Sequence, residues 1–483
     1  MRARSGSVVI AAVVLAISVY RAAMQSITHD EARVFLLYMM GSLRHAFAYT
    51  GIQNHVLQAF LSRLVLSVFP ATAFTIRIPT LVGAGIYCAA AIWICERLFD
   101  RRWMCWAAVA LLTVNPYTLD FLSAARGYGL MLAFLMVAVA SLLPGVSPLP
   151  ERRAYVVAGV SLGLAIAATT ACMFAVAGIV FAYGMSFALQ RRWRDGVMRT
   201  ASLAVIACIV AAIPLANQLY RATGRDYQNA IGLGGDTFLL QLASLVRAST
   251  SRDNPYLTSL SALSVPQAAA FLVFSVAVAV TIGLALRRPI SGEPRERALV
   301  WIVAMLAGMA AATIGGHVGL HVTYPQGRMA LYWIPFVTLA VLIAWSRTTA
   351  TPSRAAGWAL AVLVLAIDVS RFDVTTYADW IPDAPDEKLV DRIVQDHGSD
   401  RGHVTVGGSW ILEPSINFYR VTRGLDWMAA MARRPPQQGD DYYVLIEEDH
   451  EAVRRLGLRV LYEDPRTGTL VAASAPGAVA GTR

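Results

Sequence analysis

The chain has 483 residues, of which 57% are hydrophobic and 15% charged, and its mean hydropathy is +0.53. Soluble domains carry about 25% charged residues, so this composition excludes a string of soluble domains and predicts a membrane bundle with an appended domain. The formal charge of +10 and pI near 9.5 would suggest nucleic acid for a soluble protein. In a membrane protein the same excess marks basic cytoplasmic loops, and no nucleic-acid partner is expected.

Arg2 and Arg4 precede an apolar run from Val8 to Val19. This resembles a signal peptide, but no small-residue cleavage site stands out, and we read an uncleaved first span with its basic end inside. A span needs about 20 apolar residues. Runs at 7–24, 76–96, 103–120, 127–145, 154–171, 173–189, 200–219, 264–286, 298–316, 329–346 and 355–370 meet that need, which makes about eleven. The stretch from Gln53 to Phe69 carries His55, Gln58 and Arg63 at helical spacing beside Val56, Leu57, Phe60, Leu61 and Leu64. It reads as an amphipathic helix lying in the interface.

With that helix left uncounted, the arginine-rich loops fall on alternate sides. They hold Arg97, Arg101 and Arg102, then Arg152 and Arg153, then Arg191, Arg192, Arg194 and Arg199, then Arg287, Arg288, Arg295 and Arg297, then Arg347 and Arg354. The positive-inside rule makes these loops cytoplasmic, with the N-terminus inside and residues 25–75, 220–263, 317–328 and the tail from about 371 outside. All five cysteines (Cys88, Cys95, Cys105, Cys172, Cys208) lie in apolar runs without zinc spacing, as packing residues do. Few ionisable residues fall mid-span, which disfavours an ion-coupled transporter.

The tail gains prolines and carboxylates. Asp386 to Asp396 predicts a helix, His403 to Gly407 and Tyr442 to Glu447 strands, and His450 to Leu456 a helix. Leu458 to Ala473 predicts strands around a Pro-Arg-Thr-Gly turn. The expected fold is an all-α polytopic membrane bundle over 1–370, with a small α/β extracytoplasmic domain over 371–483.

Polar residues gather at the outer ends of the spans. The first loop opens Thr28-His29-Asp30-Glu31-Ala32-Arg33. Two adjacent carboxylates near a bilayer need water, a cation or a proton-donating substrate, which makes one a candidate general base. The other reading is a helix cap with acidic first-turn residues. Asn115-Pro116-Tyr117 and Ser123-Ala124-Ala125-Arg126-Gly127-Tyr128-Gly129 form a second mouth, and His317, His321, Tyr324 and Arg328 a third. An outer arginine either snorkels to lipid headgroups or binds the phosphate of a lipid-linked substrate, and a loop histidine is either interfacial or functional. The 220–263 loop, with Arg225, Asp226, Tyr227, Gly232, Gly234, Gly235 and Asp236, has the composition of a mobile cover.

In their order and spacing these segments resemble the C-type glycosyltransferases, polytopic enzymes that use polyprenyl-phosphate sugars. The subgroup is that of the protein O-mannosyltransferases and the lipid A aminoarabinose transferase. The likeness is carried by Asp30-Glu31-Ala32, Asn54-His55, Phe69-Pro70, Ile76-Arg77-Ile78-Pro79, Arg97-Leu98-Phe99, Asn115-Pro116 and Ala125-Arg126-Gly127-Tyr128. It covers the first 150 residues or so by motif, and the rest by topology.

The resemblance implies that Asp30 accepts the acceptor hydroxyl's proton and that Glu31 positions acceptor or base. It implies that Arg126 with Tyr128, and Arg328, contact the donor phosphate, and that the configuration inverts. His29, Asn54, His55, His317, His321 and Tyr324 would line the cavity. Val56 and Leu57 stand where the family often has prolines, and Arg328-Met329 replaces its usual Arg-Tyr pair. The donor would be a polyprenyl-phosphate sugar, the acceptor a cell-envelope glycan, glycolipid or protein outside the plasma (inner) membrane. No cofactor is required, although a divalent cation is compatible with the family. A lipid-linked polysaccharide polymerase or ligase, and a lipid or glycolipid transporter, are the competing classes. The first lacks the early acidic pair and the second needs repeats or broken helices not visible here.

Overall fold

The computed structural model describes residues 4–48, 55–221, 237–250, 293–347, 351–398 and 402–474, with isolated helical positions at 279 and 283. The expected cover residues 225–236, Asn54, and nearly all of the expected span at 264–286 lie outside these residues.

Five helices among the described residues are long and apolar enough to cross a bilayer: Ser5–Met24, Ala73–Leu98, Thr170–Leu189, Trp193–Tyr220 and Pro294–Leu320. Each falls on an expected run. The 103–120 run divides into Arg102–Thr113 and Pro116–Phe121, because Asn115 caps a new helix whose first residue is Pro116, a position where the missing N–H costs nothing. Other runs form helices at Tyr128–Leu142, Glu151–Ala168, Trp333–Ser346 and Thr351–Ser370. Val56–Val65 is a short amphipathic helix, as its spacing predicts. Val8, Val9, Ile209, Ile213, Val318 and Val362 stand exposed on these helices. Water penalises such surface by roughly 25 cal/mol per Å² and hydrocarbon does not, so the chain is a multi-pass membrane protein.

The chain forms two compact units. The first comprises Met1–Val19, Phe47–Leu61 and Ile78–Asp373; the second comprises Tyr20–Ala46, Ser62–Arg77 and Val374–Arg483. In the first, Glu151–Ala168 packs on Trp193–Arg221 and on Tyr128–Leu142, and Met173–Leu189 packs on Pro294–Leu320. Small residues set the approach: Gly163 faces Val210 and the Ala207 carbonyl, and Gly178 faces the Met305 carbonyl. This is the usual solution where van der Waals contact, not water exclusion, drives helix association. Four cysteines are buried, but Cys208 is exposed, so it is not the packing residue that its apolar surroundings predict.

The second unit carries a four-stranded sheet of Val406–Gly408 (β1), Tyr442–Leu445 (β2), Leu458–Glu463 (β3) and Leu470–Ser474 (β4), in the order β1-β2-β4-β3. β1 runs parallel to β2, while β4 is antiparallel to both β2 and β3. Tyr443, Leu445, Leu470 and Ala472 bury one face against Ala452. Asp386–His397 is helical as predicted, and Glu413–Thr422 is a helix that sequence patterning does not single out. β1 is shorter than the strand predicted from His403, because Val404 pairs instead with Met428 in an isolated bridge.

At Gly408 φ is +135°, and a Cβ there would meet the Val444 carbonyl oxygen of β2. Gly408→Ala combines backbone strain with a clash in the ladder and should cost at least about 2 kcal/mol. Gly402→Ala, with open space around it, should be neutral within about 0.5 kcal/mol. Thermal unfolding in detergent checks the pair; equal midpoints for the two variants would contradict this account of β1.

Candidate functional site

The second unit builds its polar centre on Arg77. Its guanidinium directs all five N–H bonds to oxygens: Nε to Glu31 Oε1 (2.9 Å), Nη2 to Glu31 Oε2 (2.6 Å) and Ser26 O (2.8 Å), and Nη1 to Ala22 O (3.1 Å) and Gln25 O (2.8 Å). Both Arg77 and Glu31 are fully buried. The three carbonyls belong to the end of the first helix and the turn after it, where backbone acceptors lack helical partners and the helix dipole favours a cation. Glu31 also completes a capping box: its backbone N–H donates to Thr28 Oγ1 and its carboxylate accepts from the Thr28 N–H. The capping reading therefore holds for Thr28 and Glu31. Asp30 lies in the same first helical turn but takes no part in the reciprocal capping-box bonds.

Asp30 is 8% exposed and accepts a hydrogen bond from Trp380 Nε1 at 3.1 Å. Beside it, His29 Nε2 lies 3.9 Å from Asp30 Oδ1, while His29 Nδ1 is 2.8 Å from Asp383 Oδ2. Asp383 Oδ2 also accepts the His29 backbone N–H at 2.6 Å. Burial pushes Asp383 above the usual carboxylate range, opposed by the His29 hydrogen bonds and charge. Burial, then the neighbouring Asp383, pushes Asp386 well above it. A cavity of about 10 Å³, room for roughly one water, is lined by Gln25, Ser26, Thr28, Thr375, Trp380 and Asp383.

Around this centre, the turn after the first helix is stitched to the chain beyond Val374. Arg21 donates to Thr376 O, Gln25 to Val374 O and Ser26 to Ala384 O, and the Ile27 N–H donates to the Tyr419 hydroxyl. Sequence reasoning missed Trp380 and Asp383 as partners of the early motif, because nothing local marks them. Arg77 did carry a signal: a cation among Ile76, Ile78 and Pro79 needs a buried carboxylate.

The first unit holds the second group of expected site residues. His55, 7% exposed, has Nδ1 3.1 Å from the Ala168 carbonyl, and its ring meets Tyr128 edge-on at 5.2 Å. Tyr128 packs in turn on Phe121 at 4.9 Å. Between Arg126 and Tyr128, Gly127 sits at φ +73°, and a Cβ there would strike the Ala168 carbonyl. Only glycine allows this turn to close so tightly over residue 168. Arg126 is 4% exposed, whereas a headgroup-snorkelling arginine keeps its charge in water. Thr80 Oγ1 bridges Gln58 Oε1 (3.0 Å) and Ala124 O (3.2 Å) beneath the same turn.

The third mouth differs from expectation at its start. Pro294–Leu320 continues through His317, so His317 lies in the last helical turn and not in a loop. Its Nδ1 is 2.9 Å from Val322 O and its ring stacks on Tyr324 at 4.4 Å. His321 is exposed and ends the helix in a left-handed conformation, φ +53°. Arg328 falls in the turn Gly327–Ala330, which packs on the turn Thr170–Cys172 just after Ala168. Among the described residues no three His, Cys, Asp or Glu side chains converge to hold a metal ion.

The sequence matches no protein-family model and no curated protein. Among solved structures, the chain is similar to ArnT from Cupriavidus metallidurans bound to undecaprenyl phosphate, at 14% identity and a TM-score of 0.50, over 99% of each chain. The apo state of the same protein aligns at 13% identity and a TM-score of 0.46, over 100% of each chain. ArnT is the lipid A aminoarabinose transferase, a C-type glycosyltransferase, and across its whole length the present chain has that fold.

Proposed function

We propose that this chain is a membrane glycosyltransferase that moves one sugar from a polyprenyl-phosphate donor to an acceptor outside the plasma membrane. The observation that carries the reading is the ArnT-like fold over the full chain, in company with an early Asp30 carboxylate that stands outside the capping box. The alternating basic loops support an extracytoplasmic position for residues 25–75 and for the tail.

The chemistry requires a base and a leaving-group clamp. Asp30 takes the proton of the acceptor hydroxyl, the freed oxygen attacks the anomeric carbon from the face opposite the phosphate, and the bond from that carbon to the phosphate oxygen breaks with inversion. Polyprenyl phosphate departs with the electron pair. Arg126, with Tyr128 and Arg328, neutralises the charge that grows on it; guanidinium suits this role because its planar donors pair with phosphate oxygens and it stays ionised. Glu31, already neutralised by Arg77, acts by fixing the turn that presents Asp30. His55 orders the Arg126 turn through Ala168 and Tyr128.

Two experiments follow. Purified protein incubated with a panel of polyprenyl-phosphate sugars should release polyprenyl phosphate from at least one. Asp30→Asn and Arg126→Ala should each lower kcat at least about 10²-fold while staying folded; variants that turn over the matching donor at the wild-type rate would sink the assignment. Separately, Arg77→Met should destabilise the fold by about 3–5 kcal/mol, because it leaves Glu31 as an uncompensated buried charge. Arg77→Lys should recover little, since three donors cannot replace five in a fixed plane. An Arg77→Met protein that melts at the wild-type temperature would show that the pair does not anchor this turn.

A further inference from the structure

A general base must lose its proton again in every cycle, and Asp30 is poorly placed to lose it to water directly. Its side chain is 11% exposed, and one of its oxygens is occupied by the Trp380 indole. The other oxygen faces His29 Nε2 at 3.9 Å. His29 is wetter, at 22% exposure, and its far nitrogen is held at 2.8 Å by Asp383, whose side chain is 2% exposed. An ionised carboxylate only accepts, so this contact puts the ring proton on Nδ1 and leaves the Nε2 lone pair turned toward Asp30.

Resting on the reading of Asp30 as the base, we propose that His29, oriented by Asp383, is the relay through which Asp30 discharges its proton. Asp30 takes the proton from the acceptor hydroxyl and passes it to His29 Nε2, which restores the Asp30 carboxylate. The resulting imidazolium lies between two carboxylates and releases the proton to solvent at its exposed edge, returning to the neutral Nδ1–H form. The 3.9 Å gap is longer than a hydrogen bond and shorter than two bonds through a water, so a small ring rotation closes it, as apo sites commonly require.

The cluster accounts for two features that a plain helix cap does not. Asp383 accepts from the His29 ring as well as from its backbone N–H, and Asp383 lines a cavity about one water in size. The charged groups around the relay are Asp386 beside Asp383, Arg33 on the helix of Asp30, and Glu413 and Arg420 on the helix packed against it. Arg433 adds a charge that acts on Asp30. Glu31 is already neutralised by Arg77.

The test has one arm that needs no substrate. The pKa of His29 in full-length protein is read from hydrogen–deuterium exchange at its ring C2 position across pH. Removing either neighbouring negative charge, by Asp383→Asn or Asp30→Asn, should lower it by at least about one pH unit. An unchanged His29 pKa in both variants overturns the relay whatever the activity. In the second arm, turnover of undecaprenyl-phosphate sugars is followed against pH. The relay needs neutral His29, so the rate rises with pH through the His29 pKa, and Asp383→Asn should shift this acidic limb to lower pH. His29→Gln should lower kcat about 10²-fold with KM unchanged, and added imidazole should partly restore His29→Ala, which a purely structural histidine would not allow. Loss of activity in Asp30→Asn with wild-type kcat and pH limb in His29→Gln removes the relay and leaves the base. Full activity in Asp30→Asn removes the base reading itself.

Discussion

A buried guanidinium organises the second unit. Arg77 sits where water does not reach, and an isolated charge there would cost several kcal/mol. It is tolerated because five oxygens surround it: two from Glu31 and three from carbonyls at and after the end of the first helix. The same bonds terminate that helix, neutralise Glu31 and close the capping box that starts the next one. A single ion pair thereby fixes the direction in which residues 28–31 leave the first helix. The presentation of Asp30 follows from that direction.

The first unit solves a comparable problem with neutral groups. The Arg126 turn closes over Ala168 because Gly127 has no side chain to obstruct it, and His55 donates to the Ala168 carbonyl that the helix Glu151–Ala168 leaves unpaired at its end. Thr80 donates to the Ala124 carbonyl of the turn from below and also contacts Gln58 Oε1. Polar groups in both units are therefore matched to helix ends, where backbone acceptors need partners that lipid cannot supply. Side chains that read as chemistry in the sequence also do structural work here, and Glu31 and His55 illustrate how the two uses coincide.

His29 and Asp383 show the reverse case. Asp383 is one of several carboxylates in the tail, and nothing in its neighbourhood distinguishes it from Asp379 or Asp386. Its partner lies more than 350 positions earlier in the chain. Contacts of that separation depend on how Val374–Arg483 folds together with Tyr20–Ala46, and no local pattern encodes them. The helix Glu413–Thr422 was missed for a related reason: with Pro414 at its start and Ser, Asn and Arg along it, its propensity is weak and its packing against His29–Val34 decides its state.

By itself the sequence determined that the chain crosses a membrane, where its long apolar helices run, that an amphipathic helix follows His55, and that a small α/β fold with a Pro-Arg-Thr-Gly hairpin closes the chain. These are set by hydropathy and periodicity, which are local and additive along the chain. It also singled out Asp30, Arg126 and Tyr128 as residue types in need of explanation. Tertiary structure alone decided which carboxylate is consumed by Arg77 and which is left beside His29, that Asn115 breaks a run that composition reads as one span, and that Tyr20–Ala46 folds with the tail. Those outcomes depend on which polar groups meet when water is withdrawn, and that is a property of three-dimensional proximity which residue order does not display.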